Sequence, residues 1–229
     1  MASLRSFLHH VPLFSECDDD ELAQLASMVC EQHYEKYSTI VHANEPGTAL
    51  YILKSGLAKI TIHDRHGSEM ILRLLYPTDC FGDMSLLDGM PRSATITTQE
   101  PSDVLIMSRD HFLGLLETSP TILLKMTVIL STRLRKANEL IHSLAFFDVY
   151  GKVARVLLTL AAERGRATAQ TTVIDMHLTQ QELAELAGMT RETMARILRA
   201  FQQAGWIRVE AGIISILELE MLRREVEKA

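Results

Sequence analysis

The feature that most constrains the fold is a change in the spacing of apolar residues along the chain. Between about residues 32 and 108, short alternating or β-branched segments are separated by turn signals such as Asn44–Gly47 and His66-Gly67. Many short strands at nearly regular spacing are typical of a small β-barrel or jelly roll. From about residue 119 to 146 the apolar residues recur with helical spacing instead. The sequence therefore predicts an α+β chain in which a β domain precedes a long helix.

Individual elements follow from the same patterns. Residues 3–10 and 18–30 are predicted to be helical, and Asp18–Asp20 provide a capping region for the second of these helices. The predicted strands are Ser38–Ala43, Ala49–Lys54, Ala58–His63, Met70–Tyr76, Ala94–Thr98 and Val104–Ser108.

The long helical segment contains two rows of residues with heptad spacing. One row is Leu123, Leu130, Ala137 and Leu144, and the interleaved row is Thr127, Leu134 and Ile141. Such a seam can pack on its own domain, or it can pair with the same helix of a second chain. Because both rows extend over three heptads, we favour a homodimer.

One glycine- and arginine-containing segment, Phe81–Thr95, has the chemistry of a phosphate site. Gly82 and Asp83 open it, and Arg92 follows the acid by nine residues, next to Ser93. A guanidinium group can donate two parallel hydrogen bonds to a phosphate, and a carboxylate can accept one from a sugar hydroxyl. An ordinary turn with a surface arginine is the alternative.

The C-terminal part contains a helix-turn-helix pattern within Leu178–Leu198. Thr179 and Glu182 have capping-box spacing, Gly188 stands at the turn, and Thr190 can cap the second helix. An inward apolar stripe leaves four charged residues facing outward, and these are Arg191, Glu192, Arg196 and Arg199. Arginine suits the guanine edge and glutamate the cytosine amino group, so we favour DNA reading over a solvated helical hairpin.

Two segments flank this pattern. The segments Trp206–Val209 and Ile213–Ile216 predict a β-hairpin, the wing of a winged helix, and Glu163–Thr172 are predicted to form a polar loop. Overall the chain is acidic, but residues 149–229 contain 11 Lys and Arg against 10 Asp and Glu. This local balance weakens the objection that an acidic protein does not bind nucleic acid.

The chain lacks the motifs of several function classes. The chain has no P-loop, GxSxG or HExxH pattern, so no catalytic residue is assigned and no enzyme is predicted. Its three cysteines lack CxxC spacing and its histidine pairs lie in polar surroundings, so no metal site is predicted. Without a signal peptide or an apolar run of about 20 residues, we expect a cytoplasmic protein and no membrane partner.

Taken together, these motifs resemble the CRP/FNR family of bacterial transcription regulators over essentially the whole chain, and are most similar to its cyclic-AMP receptor branch. The resemblance implies a cyclic-nucleotide-binding β-roll (jelly roll) at residues 1–118, a dimerisation helix at 119–147 and a winged helix-turn-helix domain at 148–229. It also implies a hinge within Leu144–Lys152, a palindromic operator with TGTGA-like half-sites, and RNA polymerase as a partner.

The resemblance assigns residues to two sites. Arg92 and Ser93 would bind a cyclic phosphate, Gly82 would approach it through its backbone, and Asp83 would accept from the ribose 2′-hydroxyl. The full ligand set is Gly82, Asp83, Met84, Arg92, Ser93, Ala94 and Asn138. The DNA-binding set is Thr179, Gln180, Gln181, Thr190, Arg191, Glu192, Thr193 and Arg196.

The sequence departs from the branch at three places, of which the first two affect the choice of effector and the third affects DNA binding. Asp83 stands where glutamate is usual, Ala137-Asn138 replace a Thr-Ser pair that reaches adenine, and Gln180 replaces an arginine that contacts the DNA backbone. Cyclic AMP is therefore the first candidate and cyclic di-GMP the second, with no tightly bound cofactor. A ligand-independent or redox-responsive regulator comes third, and the regulatory subunit of an enzyme is less favoured.

Overall fold

The computed structural model of the chain describes residues 2–168, 171–175, 178–210 and 212–228. The chain forms two compact units, Met1–Leu134 and Arg135–Ala229, and each is described by itself. The predicted α+β class is confirmed: helices flank two β-sheets in the first unit, and helices with a small sheet form the second. The predicted boundaries at 118 and 147 stay a prediction.

The first unit is built on two antiparallel four-stranded sheets, with strand orders β1-β8-β3-β6 and β2-β7-β4-β5. Its elements are α1 (Ala2–His9), a 3₁₀ turn (Pro12–Phe14), α2 (Asp19–Met28), β1 (Val29–Tyr34), β2 (Thr39–Val41), β3 (Ala49–Ser55), β4 (Ala58–His63), β5 (Glu69–Leu75), β6 (Cys80–Phe81), α3 (Asp83–Asp88), β7 (Thr95–Thr98), β8 (Ser102–Ser108), α4 (Arg109–Thr118) and the start of α5 (Pro120–Phe146).

Local rules explain the start of this unit. The Asp18 carboxylate accepts hydrogen bonds from the amides of Asp20 and Glu21, at 3.0 and 2.8 Å, and Glu21 accepts from the Asp18 amide at 2.9 Å. This reciprocal capping box fixes the first turn of α2, as predicted.

The structure differs from the sequence prediction at three places in the first unit. Residues 29–30, predicted as the end of a helix, begin strand β1, because Val29 and Cys30 pair with Met107 and Ile106 of β8. Strand β6 and helix α4 were not predicted. A strand of two residues is too short to show an alternating pattern, and pairing between distant segments overrides local propensity.

Two apolar clusters form the core of the first unit. One packs the N-terminal helices against the first sheet and the start of α5, through side chains such as Phe14, Phe112, Ile122 and Met126. The other draws side chains from both sheets, namely Val41, Leu53, Ala58, Leu75, Phe81, Ile96 and Val104. Ile122 and Met126 lie one helical turn apart on α5 and are both buried, so the first turns of this helix are held against the sheet.

The second unit begins in the last turns of α5. It continues with α6 (Val149–Arg164), β9 (Arg166–Ala167), β10 (Thr172–Ile174), α7 (Gln180–Ala187), α8 (Arg191–Gln203), β11 (Ile207–Glu210), β12 (Ile213–Ile216) and α9 (Leu219–Glu227), with sheet order β11-β12-β10-β9. The predicted loop at residues 163–172 is wrong in part, and residues 169–170 within it lie outside the described residues. Helix α6 continues to Arg164, and Arg166 and Ala167 pair with the start of β10 to extend the wing sheet.

Among the described residues, no single helix is long and apolar enough to cross a bilayer. Helices α4 and α5, which meet at a bend of 110°, pass the length and composition criteria only when they are taken together.

Candidate functional site

Gly82 sets the geometry of the candidate phosphate site. It connects β6 to α3 with φ of +81°, in the left-handed region that favours glycine. A Cβ atom added there would lie 2.7 Å from Nη1 of Arg92 and 3.1 Å from Cδ2 of Tyr51. The site therefore requires glycine both for its backbone conformation and for the space that Arg92 occupies.

Arg92 is buried and held by backbone carbonyls. Its Nη1 donates to the carbonyl of Gly82, and its Nη2 donates to the carbonyl of Ala49 at 2.9 Å. The guanidinium carbon lies 5.6 Å from the centre of the Tyr51 ring, which stacks on Phe81 at 5.2 Å. Since a guanidinium has five N–H donors, the two carbonyls leave donors for an anion.

Asp83 is 1% exposed and has an ion-pair partner that the sequence analysis did not identify. Nη1 of Arg133 lies 2.7 Å from Oδ1 and 2.8 Å from Oδ2 of Asp83, and Nη2 donates to the carbonyl of Cys80 at 2.5 Å. A buried carboxylate requires such a partner. Arg133 continues the inward row of α5 that Ile122 and Met126 begin, and this spacing was the signal that could have found it.

The remaining predicted ligand residues differ in exposure. Ser93 is exposed and Ala94 is half-buried next to Arg92, whereas Met84 is 51% exposed on α3. Asn138 is exposed on α5 and belongs to the second unit. The structure thus brings Gly82, Asp83 and Arg92 together, and the contact of Asn138 with a ligand stays a prediction.

Cys80, next to this site, is an inert thiol. Burial, followed by the charges of Asp83 and Asp79, raises its pKa to about 12, although the charges of Arg133 and Arg73 lower it. A thiol with such a pKa is protonated at neutral pH, which makes it a poor nucleophile. The described part of the chain contains no cluster of three or more His, Cys, Asp or Glu residues that could hold a metal ion.

The helix-turn-helix forms as its capping residues predict. The Thr179 hydroxyl accepts from the Glu182 amide at 3.2 Å, and the Glu182 carboxylate accepts from the Thr179 amide at 2.7 Å. Gly188 ends α7 with φ of +62°, and Thr190 caps α8 by accepting from the Thr193 amide at 3.3 Å. These contacts fix both ends of the turn between α7 and α8.

Helix α8 separates its two faces sharply. Met194, Ile197, Leu198 and Phe201 are buried on one side. The predicted DNA-reading side chains Arg191, Glu192 and Arg196 are all exposed on the other side, and Thr193 is half-buried. The other predicted DNA-binding residues are also exposed: Thr190 at the N-cap of α8, and Thr179, Gln180 and Gln181 at the start of α7. This is the arrangement that a helix inserted in the major groove requires, with its anchors inside and its hydrogen-bonding groups in solvent.

The wing packs directly behind α8. Trp206 follows the helix, its ring centre lies 5.0 Å from that of Phe201, and its carbonyl accepts from the Leu217 amide at 2.8 Å. Strands β11 and β12 then pair from Ile207 and Ile216 outward. The predicted turn residue Ala211 lies outside the described residues.

Known proteins share both halves of this arrangement. Residues 31–119 match the cyclic nucleotide-binding domain family, and residues 151–225 match the Crp-like helix-turn-helix domain family. The CRP-like cAMP-activated global transcriptional regulator of Mycobacterium tuberculosis is 33% identical over 212 residues, covering 93% of this chain and 95% of that protein. The cAMP-activated global transcriptional regulator CRP of Pasteurella multocida is 34% identical over 175 residues, covering 76% and 83%.

A solved structure shows the same fold. The c-di-GMP responsive global regulator CLP of Xanthomonas campestris superposes with a TM-score of 0.75 and 24% identity, covering 87% of this chain and 99% of that one. The fold, the two matched domains and the similarity to the curated relatives agree with the family that the sequence motifs predict. This chain therefore belongs to the CRP/FNR family of cyclic-nucleotide-binding transcription regulators.

Proposed function

We propose that this chain is a homodimeric transcription regulator of the bacterial cytoplasm, and that a cyclic nucleotide bound in its first unit controls its binding to DNA. The observation that carries the proposal is the environment of Arg92. This guanidinium is 5% exposed and hydrogen-bonds to two carbonyls, and among the described residues no carboxylate pairs with it. A buried charge without a countercharge is costly, so the site favours an anionic ligand.

The surrounding groups support a sugar phosphate as this anion. Ser93 adds a hydroxyl beside Arg92, and Asp83 offers carboxylate oxygens across Gly82. Nη1 of Arg133 donates to both carboxylate oxygens of Asp83 and occupies one lone pair of each. The second lone pair of each oxygen can still accept a hydrogen bond from a ribose hydroxyl. The ion pair therefore orients the carboxylate without blocking its use as an acceptor.

The exposed face of α5 supports the homodimer. Leu123, Leu134 and Ile141 are 47%, 63% and 62% exposed, and Thr127 and Ala137 between them are exposed as well. These residues follow the heptad seam, whereas the buried residues Ile122 and Met126 lie off it. Burying one such side chain contributes about 1.5–3 kcal/mol, so a second copy of the same helix would stabilise this face.

A dimer of this kind would bind a palindromic operator. Two copies of α8 would enter successive major grooves about 34 Å apart, with Arg191 and Arg196 reading guanine and Glu192 reading cytosine in TGTGA-like half-sites. RNA polymerase is the partner through which such a regulator acts. The names of the curated relatives support cyclic AMP as the effector, and cyclic di-GMP is the alternative.

Calorimetric titration of nucleotide-free full-length protein tests the proposal. Wild type is expected to bind a cyclic nucleotide from a set containing cyclic AMP, cyclic GMP and cyclic di-GMP, and to sediment at twice the mass of one chain. Arg92→Met removes charge-assisted hydrogen bonds of about 1.5–3 kcal/mol each, so two lost bonds weaken binding roughly 100-fold or more.

Arg65→Met is the matched control, because Arg65 is exposed in the turn between β4 and β5 and its removal changes the same charge. It should bind nucleotide like wild type. No heat from any nucleotide, or equal binding by Arg92→Met, would refute the sensor function. Anisotropy of a labelled palindrome, with and without the bound nucleotide, then measures the control of DNA binding.

A further inference from the structure

The methionines that face solvent lie in one short segment. Within the described part of the chain, Met84 and Met90 are 51% and 63% exposed, whereas the other methionines are buried or half-buried. Met84 directly follows Asp83 of the candidate phosphate site and lies on α3. Met90 stands two residues before Arg92. The two exposed thioethers therefore belong to the segment that would hold the sugar and the phosphate of a ligand.

Hydrogen bonds fix the backbone of this segment, while its outer side stays open. The Met90 amide donates to Oδ1 of Asp88 at 2.9 Å, and the Arg92 amide donates to the carbonyl of Glu45 at 2.9 Å. A Cβ atom added to Gly89, next to Met90, would meet no other part of the described chain within 4 Å. An oxidant can therefore reach the exposed methionines without unfolding of the segment.

The cysteines are less suited to sense an oxidant at this site. Burial raises the pKa of Cys17 to about 11 and that of Cys80 to about 12, and the thiolate is the form that reacts with peroxides. Cys30 is exposed, but it lies on β1, at the opposite edge of its sheet from β6, the strand that leads into Gly82. Oxidation at the ligand site therefore falls on the methionines.

Oxidation gives these side chains a polar atom that they lack. The methionine sulfur attacks one oxygen of hydrogen peroxide and the O–O bond breaks, so the other oxygen leaves as water with both hydrogens. Sulfur is oxidised by two electrons to the sulfoxide, and the peroxide is reduced to water. The sulfoxide oxygen is a hydrogen-bond acceptor with a partial negative charge. Next to the site it repels an anionic ligand and competes for the remaining N–H donors of Arg92.

Building on the proposed function, we propose that Met84 and Met90 form an oxidation site through which a peroxide weakens binding of the cyclic nucleotide. The same segment then receives two inputs, because the nucleotide occupies it and the oxidant lowers its affinity for the nucleotide. A bound nucleotide covers the thioethers, so it should also slow their oxidation. Asp83 and Arg92 keep their contacts within the chain in either state, so the affinity falls without loss of the fold.

Peptide mapping by mass spectrometry tests whether the site is selective. Full-length, nucleotide-free protein with the substitution Cys30→Ser, which removes the exposed thiol, is treated with hydrogen peroxide. Met84 and Met90 are expected to gain one oxygen each before the half-buried Met189 and Met221 do, and the nucleotide that binds in calorimetry should slow this gain. Equal rates at all four methionines, or rates at Met84 and Met90 that the nucleotide does not change, overturn the inference.

Nucleotide affinity before and after peroxide treatment tests the consequence. The oxidised Cys30→Ser protein is expected to bind nucleotide about 3- to 10-fold more weakly, the effect of one ordinary hydrogen bond, and methionine sulfoxide reductases of both epimer specificities should restore the affinity. Met84→Leu/Met90→Leu keeps apolar side chains of similar size, so peroxide should not change its affinity. The matched control, Met189→Leu/Met221→Leu, should respond to peroxide like its parent. An equal response of both double variants, or unchanged affinity when both sulfoxides are present, overturns the inference.

A polar substitution reproduces the effect without an oxidant. Met84→Gln/Met90→Gln is expected to bind nucleotide more weakly than Met84→Leu/Met90→Leu by the same factor, while urea denaturation of the two variants agrees because both positions are exposed. Equal affinities of the two variants would show that polarity at these positions does not control binding. Failure of every nucleotide to bind the untreated protein refutes the proposed function itself, whereas the peptide map still shows where oxidation occurs.

Discussion

The two units use charged side chains in opposite ways. In the first unit Asp83 and Arg92 are 1% and 5% exposed and are fixed by other groups of the chain. In the second unit Arg191, Glu192 and Arg196 stand in solvent on a helix whose other side is buried. A small ligand has to be captured by groups that are already in place, whereas DNA supplies its own large surface and orders mobile side chains as it binds.

The largest effect on this contrast is expected when Arg133 is replaced. Arg133→Met leaves the buried Asp83 carboxylate without a countercharge, which should destabilise the first unit by about 3–5 kcal/mol. Urea denaturation followed by circular dichroism measures the change. Arg135→Met, two residues along the same helix and exposed, is the matched control and should change stability by less than about 0.5 kcal/mol.

The double variant Asp83→Leu/Arg133→Met refines this prediction. Removing both charges should restore most of the lost stability, because an apolar pair of similar volume can replace a buried ion pair. A double variant as unstable as Arg133→Met alone would show that packing, and not the unpaired charge, sets the cost.

On the exposed side, Arg191→Ala should affect DNA binding and not stability. Loss of one arginine contact to guanine weakens operator affinity by about 1–3 kcal/mol, while urea denaturation and nucleotide binding remain as in wild type. Arg224→Ala, an exposed arginine on α9, provides the control. Fluorescence anisotropy of labelled operator DNA at fixed salt measures the affinity. Unchanged operator affinity for Arg191→Ala would exclude α8 as the helix that reads the DNA sequence.

A smaller effect is expected from the cap of the recognition helix. Thr190→Ala removes the acceptor for the Thr193 amide and should cost about 1 kcal/mol of stability in the second unit. Thr190→Ser keeps the hydroxyl and should recover most of it. If alanine and serine denature alike, the cap hydrogen bond contributes nothing measurable.

The smallest effect concerns an exposed charge pair in the first unit. Nδ1 of His33 lies 2.7 Å from Oδ1 of Asp103. This hydrogen bond raises the pKa of His33 above its ordinary value. The contribution of this pair to stability should therefore be complete at pH values below the ordinary histidine pKa. It is lost as the pH rises through the raised pKa of His33.

Urea midpoints between pH 6 and 8.5 measure this effect. Wild type should lose slightly more stability with rising pH than His33→Gln does, and added salt should reduce the difference because the pair is exposed. His66→Gln should keep the wild-type slope. A difference as large as that for Arg133 would mean that exposure does not control the strength of charge pairs here.

The sequence predicted features that depend on neighbours in the chain. Asp18, Thr179, Gly188 and Thr190 act on groups within a few residues, and their spacing identified them. Arg133 was not identified as a partner of Asp83, because 50 residues separate them and only the packing of α5 brings them together.

The same reason explains the other omissions. Tyr51 reaches Arg92 from strand β3, and nothing in its local sequence marks it. Strand β1 needs β8, some 70 residues away, to form its ladder. Local capping and turn chemistry can therefore be read from one sequence, whereas the partners of a buried charge depend on the fold.

Trp206 has an experimental consequence. It is the one tryptophan in the chain and packs against Phe201 at the end of the recognition helix. Emission excited at 295 nm therefore reports on the second unit alone, without a label. The rate at which this emission changes after nucleotide is added would measure, in the unmodified protein, how quickly nucleotide binding alters the environment of Trp206.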